Sequence, residues 1–479
     1  MGIFENIIST TNNLLWSYIL IIMLISLGLY FSFKTKFVQI RYFKEMFKLL
    51  GEGASNSVRG KKEKKGVSSF QAFCISTASR VGTGNLAGVA IAIASGGPGA
   101  VFWMWIIALI GGASSFVEST LAQIYKVEDD HGFRGGPAYY MEKALNKRWL
   151  GIIFSILITI SFGLVFNSVQ SNTISLAFEQ AFGVKTIVIG SLLALSTSVI
   201  IFGGIKRVAK VAEVIVPIMA TAYVLVALFV LFKNITIIPK IFNLIIENAF
   251  GVRQVMGGGL GAAVLMGIKR GLFSNEAGMG SAPNAAATAT VTHPVKQGLI
   301  QTLGVFTDTL LICSATSFIV LISGSYINSN LTGIQLTQTA LSSEVGPWGN
   351  TFIALCILLF AFSSIVGNYY YGETNIGFLR GNKIWLFLYR AAVVGMVLFG
   401  SVAKIQIVWD MADLFMGIMA IINLIAISML SKIAFDALKD YDIQKKSGKE
   451  PVFFKDSIPY LKNVEAWPSR EEYKEDTAV

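Results

Sequence analysis

Apolar residues gather into eleven blocks long enough to cross a bilayer, and that pattern leaves few folds open to the chain. The blocks cover residues 14–33, 70–95, 100–125, 150–178, 186–203, 211–232, 258–290, 298–323, 351–371, 384–402 and 407–433. A helix needs roughly 17 to 25 residues to cross about 30 Å of hydrocarbon, and no alternating ten-residue segments of a barrel interrupt the series. The expectation is therefore an all-α, polytopic membrane protein with about 11 transmembrane helices. Only 14% of the residues are charged, and the mean hydropathy is +0.63, as such a chain requires. The connecting segments are too short to fold as a soluble catalytic domain.

An odd number of spans places the termini on opposite sides. With the N-terminus outside, 30 of the 39 Lys and Arg residues fall inside. Lys185, Lys233, Lys240, Arg253 and Lys404 fall outside, and Arg80, Lys269, Arg270 and Arg390 lie within spans. That bias predicts an N-out, C-in protein of the cell membrane. It also accounts for the net charge of +11 without a nucleic-acid partner. The opening "MGIFENIIST" has no basic n-region, and no small-residue cleavage site follows, so the first block reads as a retained span. Phe37 to Leu50 interleave apolar residues with Arg41, Lys44 and Lys48, which suits a helix lying on the inner surface. Cys74, Cys313 and Cys356 stand alone in apolar blocks, as small packing residues rather than disulfide or zinc partners. The tail from residue 435 is too polar to span, and its sequence leaves docking and disorder equally open.

Two blocks carry polar centres. In "STASRVGTGNLAG", Gly82, Gly84 and Gly88 surround Thr83 and Asn85, with Arg80 just before; in "IKRGLFSNEAGMGSAPNAAATAT", Ser274, Asn275, Glu276, Gly278, Gly280 and Pro283 interrupt the span. Glycine weakens a helix, and a backbone that unwinds in hydrocarbon needs partners for its freed NH and CO groups. With the opening span set aside, the broken blocks are the first and sixth of ten, each opening a set of five. This predicts a five-plus-five inverted repeat with discontinuous first and sixth core helices. The segments are then 1–35, an outer end with an extra span; 36–67, a basic inner loop; 68–233, the first repeat; 234–256, an outer connection; 257–434, the second repeat; and 435–479, an inner tail. Half-helix ends meeting near the midplane supply amides for a carboxylate and carbonyls for a cation, so a zwitterion or ion is the expected guest. For Gly111, Gly112, Ala113 and Ser114, which lack such polar company, close helix packing is the better reading.

At these places the chain resembles the alanine or glycine:cation symporter family, sodium-coupled carriers of small neutral amino acids. The resemblance rests on "GTGNLAGVA" at Gly82 to Ala90, "GGPGAVFWMW" at Gly96 to Trp105, "FRGGPAYYM" at Phe133 to Met141 and "GLFSNEAGMGSAPNAAATA" at Gly271 to Ala289. It implies a transporter and not an enzyme, with sodium as the co-transported ion and alanine, glycine or glutamine as substrate. The candidate substrate residues are Thr83, Gly84, Asn85, Phe273, Ser274, Asn275, Gly278 and Gly280, with the glycine backbones holding the carboxylate. Gln170 is a further candidate whose alternative is an interhelical hydrogen bond, and Phe273 is either a thin gate or a packing aromatic. By analogy with the fold, carbonyls near Ala78 and Val81 and the hydroxyls of Ser363 and Ser364 are the candidate sodium ligands, although helical serines also back-bond. Arg80 and Glu276 are a candidate ion pair or gate. Proton coupling is the alternative to sodium. An ion channel is disfavoured by the lack of a TVGYG-like filter, and an enzyme by the lack of HExxH, GxSxG or Walker patterns.

Overall fold

The protein is described by a computed structural model covering residues 3–58, 66–129, 132–202, 205–250, 259–327, 330–379 and 381–473. The basic run 59–65, residues 251–258 of the glycine-rich entry with Arg253, and Arg380 lie outside the described residues.

Helices dominate. Residues 3–34 form α1, with a wide turn at Leu15–Leu20, and Phe43–Val58 forms α2. Ser69–Arg80 (α3) and Gly84–Gly96 (α4) flank the first break. Then come Gly99–Ile124 (α5), a hairpin of Val127–Asp129 (β1) and Gly132–Arg134 (β2), and Pro137–Lys143 (α6). Arg148–Phe182 is α7, Thr186–Ile201 α8, Ile205–Lys233 α9 and Ile238–Phe250 α10. Gly259–Asn275 (α11) and Ala282–Ala286 (α12) flank the second break. Pro294–Ser323 (α13), Gly333–Val345 (α14), Trp348–Leu379 (α15), Lys383–Val402 (α16) and Ile405–Lys446 (α17) complete the bundle.

Seven of these helices are long and apolar enough to cross a membrane, or eight if the portion of α9 from Pro217 and α10, bent by 102°, count as one. The remaining blocks of the sequence reading fall short of that length for visible reasons: two are interrupted, and α8 has only 16 residues. The protein is thus a polytopic all-α membrane protein. Its polarity is turned inside out, as a bilayer requires. Leu195, Leu225, Phe229 and Phe387 are more than half exposed, while Arg80, Asn85, Glu118, Glu276 and Asp308 are buried.

Local chemistry explains where the elements begin. Ser68 and Gln71 form a capping box at α3, each side chain bonded to the other's backbone N–H at 3.1 and 3.2 Å. His293 caps α13 through Nδ1, which accepts from Val295 N at 3.2 Å, and Pro294 occupies the first helical position. Small residues allow close approach: a Cβ on Gly271 would sit 2.6 Å from Ile107, and one on Gly111 3.1 Å from Ala277. The packing role expected of Gly111 and Gly112 is what they perform. α5 lies against α11 and α13, α7 against α15 and α16, and α8 against α16.

The tail docks. Phe453 N donates to Thr292 O at 2.9 Å, Thr292 Oγ1 donates to Pro451 O at 2.9 Å, and Trp467 Nε1 donates to Gln123 O at 2.9 Å. Phe453, Ile458 and Trp467 are buried, with the rings of Phe453 and Trp467 5.2 Å apart. α2 carries the mixed faces expected of a surface helix: Phe43 and Phe47 are exposed while Met46 and Leu49 are buried.

Candidate functional site

The two breaks meet. A Cβ on Gly84 would lie 3.1 Å from Ser274 Cα and 3.1 Å from a ring carbon of Phe273, so the two segments touch here with no room to spare for a side chain. In the first break the backbone is extended at Val81, after which Gly82 N donates to Asn85 Oδ1 at 2.9 Å. Thr83 N donates to Gln170 Oε1 at 3.0 Å, a bond that ties α7 to the first break. Thr83 Oγ1 is fully buried and has no partner. In the second break Glu276, Gly278 and Gly280 all have positive φ, at 57°, 86° and 84°.

Gly278 and Gly280 leave the ligand set. Their amides donate to Glu118 Oε1 and Oε2, each at 3.1 Å, and Asn423 Nδ2 donates to the same carboxylate at 2.8 Å. The exposed amides of an unwound segment do attract a carboxylate, but here the protein supplies its own from α5.

Arg80 and Glu276 form no ion pair. The guanidinium donates to Gln301 O at 3.2 Å and reaches Ser115 Oγ at 3.5 Å. Glu276 accepts from Ser79 Oγ at 2.7 Å and Ser281 Oγ at 2.5 Å. Arg80 instead acts through space as shared counter-charge to Glu118, Glu276 and Asp308.

Asp308, like Glu118, carries no local mark of a role in the sequence. It lies in a wide-turn stretch of α13, Thr307–Cys313, a geometry that recurs at functional sites. Its carboxylate accepts from Asn85 Nδ2 at 2.7 Å, Ser274 Oγ at 2.8 Å and Thr309 Oγ1 at 2.9 Å. One residue from each break is thereby tied to a single buried charge. Asn275 turns aside, with Oδ1 accepting from Ala277 N at 3.0 Å and Nδ2 facing Thr309 Oγ1 at 3.3 Å.

The four candidate sodium oxygens lie in two pairs. Ser363 Oγ lies 3.4 Å from Ala78 O, and Ser364 Oγ lies 3.4 Å from Val81 O. Two ligands at right angles around a cation, each at about 2.4 Å, would be about 3.4 Å apart, so the spacing fits a cation of this size. Both hydroxyls also bond Phe360 O, at 2.8 and 3.1 Å. Gly82 packs directly on Ser364 and Gln170, which joins the candidate cation oxygens to the first break.

Toward the end of the bundle away from the tail, aromatic rings stack above the meeting point. Phe166 and Trp409 each lie 4.7 Å from Phe273. Arg270 stacks 4.4 Å over Trp409 and grips Asp413 with two bonds of 3.0 and 2.8 Å, while Lys269 reaches the same carboxylate at 2.6 Å. Beyond them opens a cavity of about 500 Å³ lined by Lys269, Arg270, Trp409, Asp410 and Asp413 among others. The spacing along the chain could not have paired Arg270 with Asp413, which lie 143 residues apart.

Comparison with known proteins finds relatives along nearly the whole chain. The sequence pattern of the sodium:alanine symporter family matches residues 1–455. The "Probable sodium/glutamine symporter GlnT" of Bacillus subtilis (strain 168) is 61% identical over 466 residues, 97% of this chain and 96% of that protein. The "Amino-acid carrier protein AlsT" of the same organism is 58% identical over 464 residues, covering 97% and 98%. The "Sodium/proton-dependent alanine carrier protein" of Bacillus sp. (strain PS3) is 39% identical over 428 residues, covering 85% and 95%.

Proposed function

The chain belongs to the sodium:alanine symporter family, and on that premise we propose that it imports a small neutral amino acid together with sodium across the cell membrane by alternating access. It is a transporter, not an enzyme. The observation that carries the reading is the meeting of the two breaks at Gly84 and Ser274, beside both Asp308 and the oxygens of Ala78, Val81, Ser363 and Ser364.

In this reading sodium sits among those four oxygens. The amino acid lies between the breaks under Phe273, its carboxylate toward Thr83 Oγ1 and the N-terminal end of α4 at Gly84, its ammonium toward the Asp308 side. The positive helix end and the free hydroxyl favour the first group, and the buried carboxylate favours the second. Glutamine heads the substrate list because of the name borne by the 61% identical relative, followed by alanine and glycine. The paired packing of α5 with α13, α7 with α15 and α8 with α16 supports a five-plus-five repeat within about 11 spans. The N-out, C-in orientation puts the Arg270 and Asp413 cavity outside and the docked tail in the cytoplasm. Sodium and amino acid then help each other bind, and the coupling is reciprocal.

The test is uptake into proteoliposomes of labelled glutamine, alanine and glycine under an inward sodium gradient, with choline replacing sodium in the control. Saturable uptake that collapses in choline is expected. Uptake equal in both media, or unsaturable ion current, would refute the reading.

A further inference from the structure

Three carboxylates, Glu118, Glu276 and Asp308, face a single guanidinium, Arg80, in the interior of the bundle, and none of the four is more than 2% exposed. Two of the carboxylates are well supplied. Glu118 accepts two backbone N–H groups and an amide NH₂, and Asp308 accepts an amide NH₂ and two hydroxyls. Glu276 has no N–H donor and only the hydroxyls of Ser79 and Ser281. An ionised carboxyl buried with so little support is costly, and the usual remedy is a proton.

The neighbours form a hydrogen-bonded chain with this carboxyl. Ser79 Oγ lies 2.7 Å from Glu276 Oε1 and 2.7 Å from Asn368 Oδ1, yet a hydroxyl has one hydrogen to give. With Asn368 Oδ1 toward Ser79, a protonated Oε1–H completes the chain; with the amide turned over, Nδ2 donates to Ser79 Oγ, whose hydrogen goes to an ionised Oε1, so the chain serves both protonation states. Asn368 is 1% exposed, and its Nδ2 has no partner. Glu276 also holds a left-handed backbone, φ 57°, which a non-glycine residue keeps only where the surrounding structure enforces it. The titratable groups around it are Arg80 of α3, Asp308 of α13 and Tyr371 of α15, with Glu118 of α5 reaching the same break two residues on.

We infer that the Glu276 carboxyl, set among Ser79, Ser281 and Asn368, is a proton-binding site of the transport cycle. The inference rests on the transport reading above and adds a proton to it. Glu276 sits in one broken span, Ser79 in the other, and Asn368 in α15, which packs on α3 of the first break and on α12 of the second. While the cluster is open to one side the carboxyl takes a proton from that water; rocking one set against the other closes it and then opens it to the opposite side, where the proton is released to water. No other bond forms or breaks.

The experiment uses proteoliposomes of the full chain loaded with a pH-sensitive dye. Under an inward sodium gradient, addition of amino acid should acidify the lumen in proportion to uptake. Sodium-dependent amino acid binding should vary with pH in the native protein, and Glu276→Gln, which mimics the protonated carboxyl, should flatten that profile and abolish acidification. Thermal unfolding of the variant confirms that it folds, and the acidification of the native protein is decisive without any variant. Sodium-driven uptake with an unchanged luminal pH, and a pH profile identical in the two proteins, would overturn the proton site and leave the symport reading standing. Absence of sodium-driven uptake in the native protein would overturn both.

Discussion

Gly84 and Ser274 belong to different broken spans, yet a Cβ on the glycine would sit 3.1 Å from the serine's Cα. The contact lies where the two broken spans meet, and it cannot be eased by a rotamer change because one partner is backbone. Gly84→Ala should therefore force the breaks apart. If about 1.4 kcal/mol of the usual 1–3 kcal/mol overpacking cost falls on the bound state, amino acid affinity drops roughly tenfold. Binding titrations of the purified variant would show it, with protein yield little changed.

Ser364 is the more critical of the two candidate sodium serines, because it also lines Gly82 and the first break. Ser364→Ala should raise the sodium concentration for half-maximal amino acid binding by roughly tenfold, the effect of about 1.4 kcal/mol. Ser363→Ala should do less. A sodium titration at fixed amino acid distinguishes them.

Asp308→Asn keeps the size and removes the charge that Asn85, Ser274 and Thr309 address. A charge-assisted bond contributes about 1.5–3 kcal/mol. Amino acid binding should weaken by roughly ten- to hundredfold, read by equilibrium binding, while the thermal transition persists.

Glu118→Gln acts on the fold rather than the ligand. Its NH₂ would turn toward Gly278 N or Gly280 N, leaving donor against donor. An unsatisfied buried group costs about 1–3 kcal/mol, and more where a charge had been accepting. The apparent melting temperature in detergent should fall by several degrees, and excess amino acid should not restore it.

His293 makes the docked tail sensitive to acid. Burial of its ring depresses the pKa below the ordinary 6.5, and its Nδ1 must stay unprotonated to cap α13. The unfolded chain then binds the proton more readily, so stability is intact above pH 6.5 and declines as pH falls toward the lower folded value. Limited proteolysis of the tail should accelerate over that range. His293→Asn, which retains a capping oxygen, should flatten the response.

Much of the site could be read from residue order because glycine and polar groups in an apolar block have only a few physical explanations. Asn85 and Ser274 stood out for that reason, and the Ala78, Val81, Ser363 and Ser364 oxygens followed from the fold that the resemblance implied. Asp308 and Glu118 did not stand out in function. A lone carboxylate in a helix carries no local mark of which distant break it faces, and Glu118 meets its amides 160 residues away. The same blindness to distance suggested pairing Arg80 with Glu276, whereas the folded chain directs the guanidinium to Gln301 and Ser115. Break positions are local information; partners across the bundle are not.

The tail is stitched to Thr292, just past the second broken span, and through Trp467 to Gln123 near the end of α5. Those stitches tie a polar segment to the ends of two bundle elements. Any motion of the second broken span must carry this strap along or peel it away, so the strap's own bonds enter the energy of that motion.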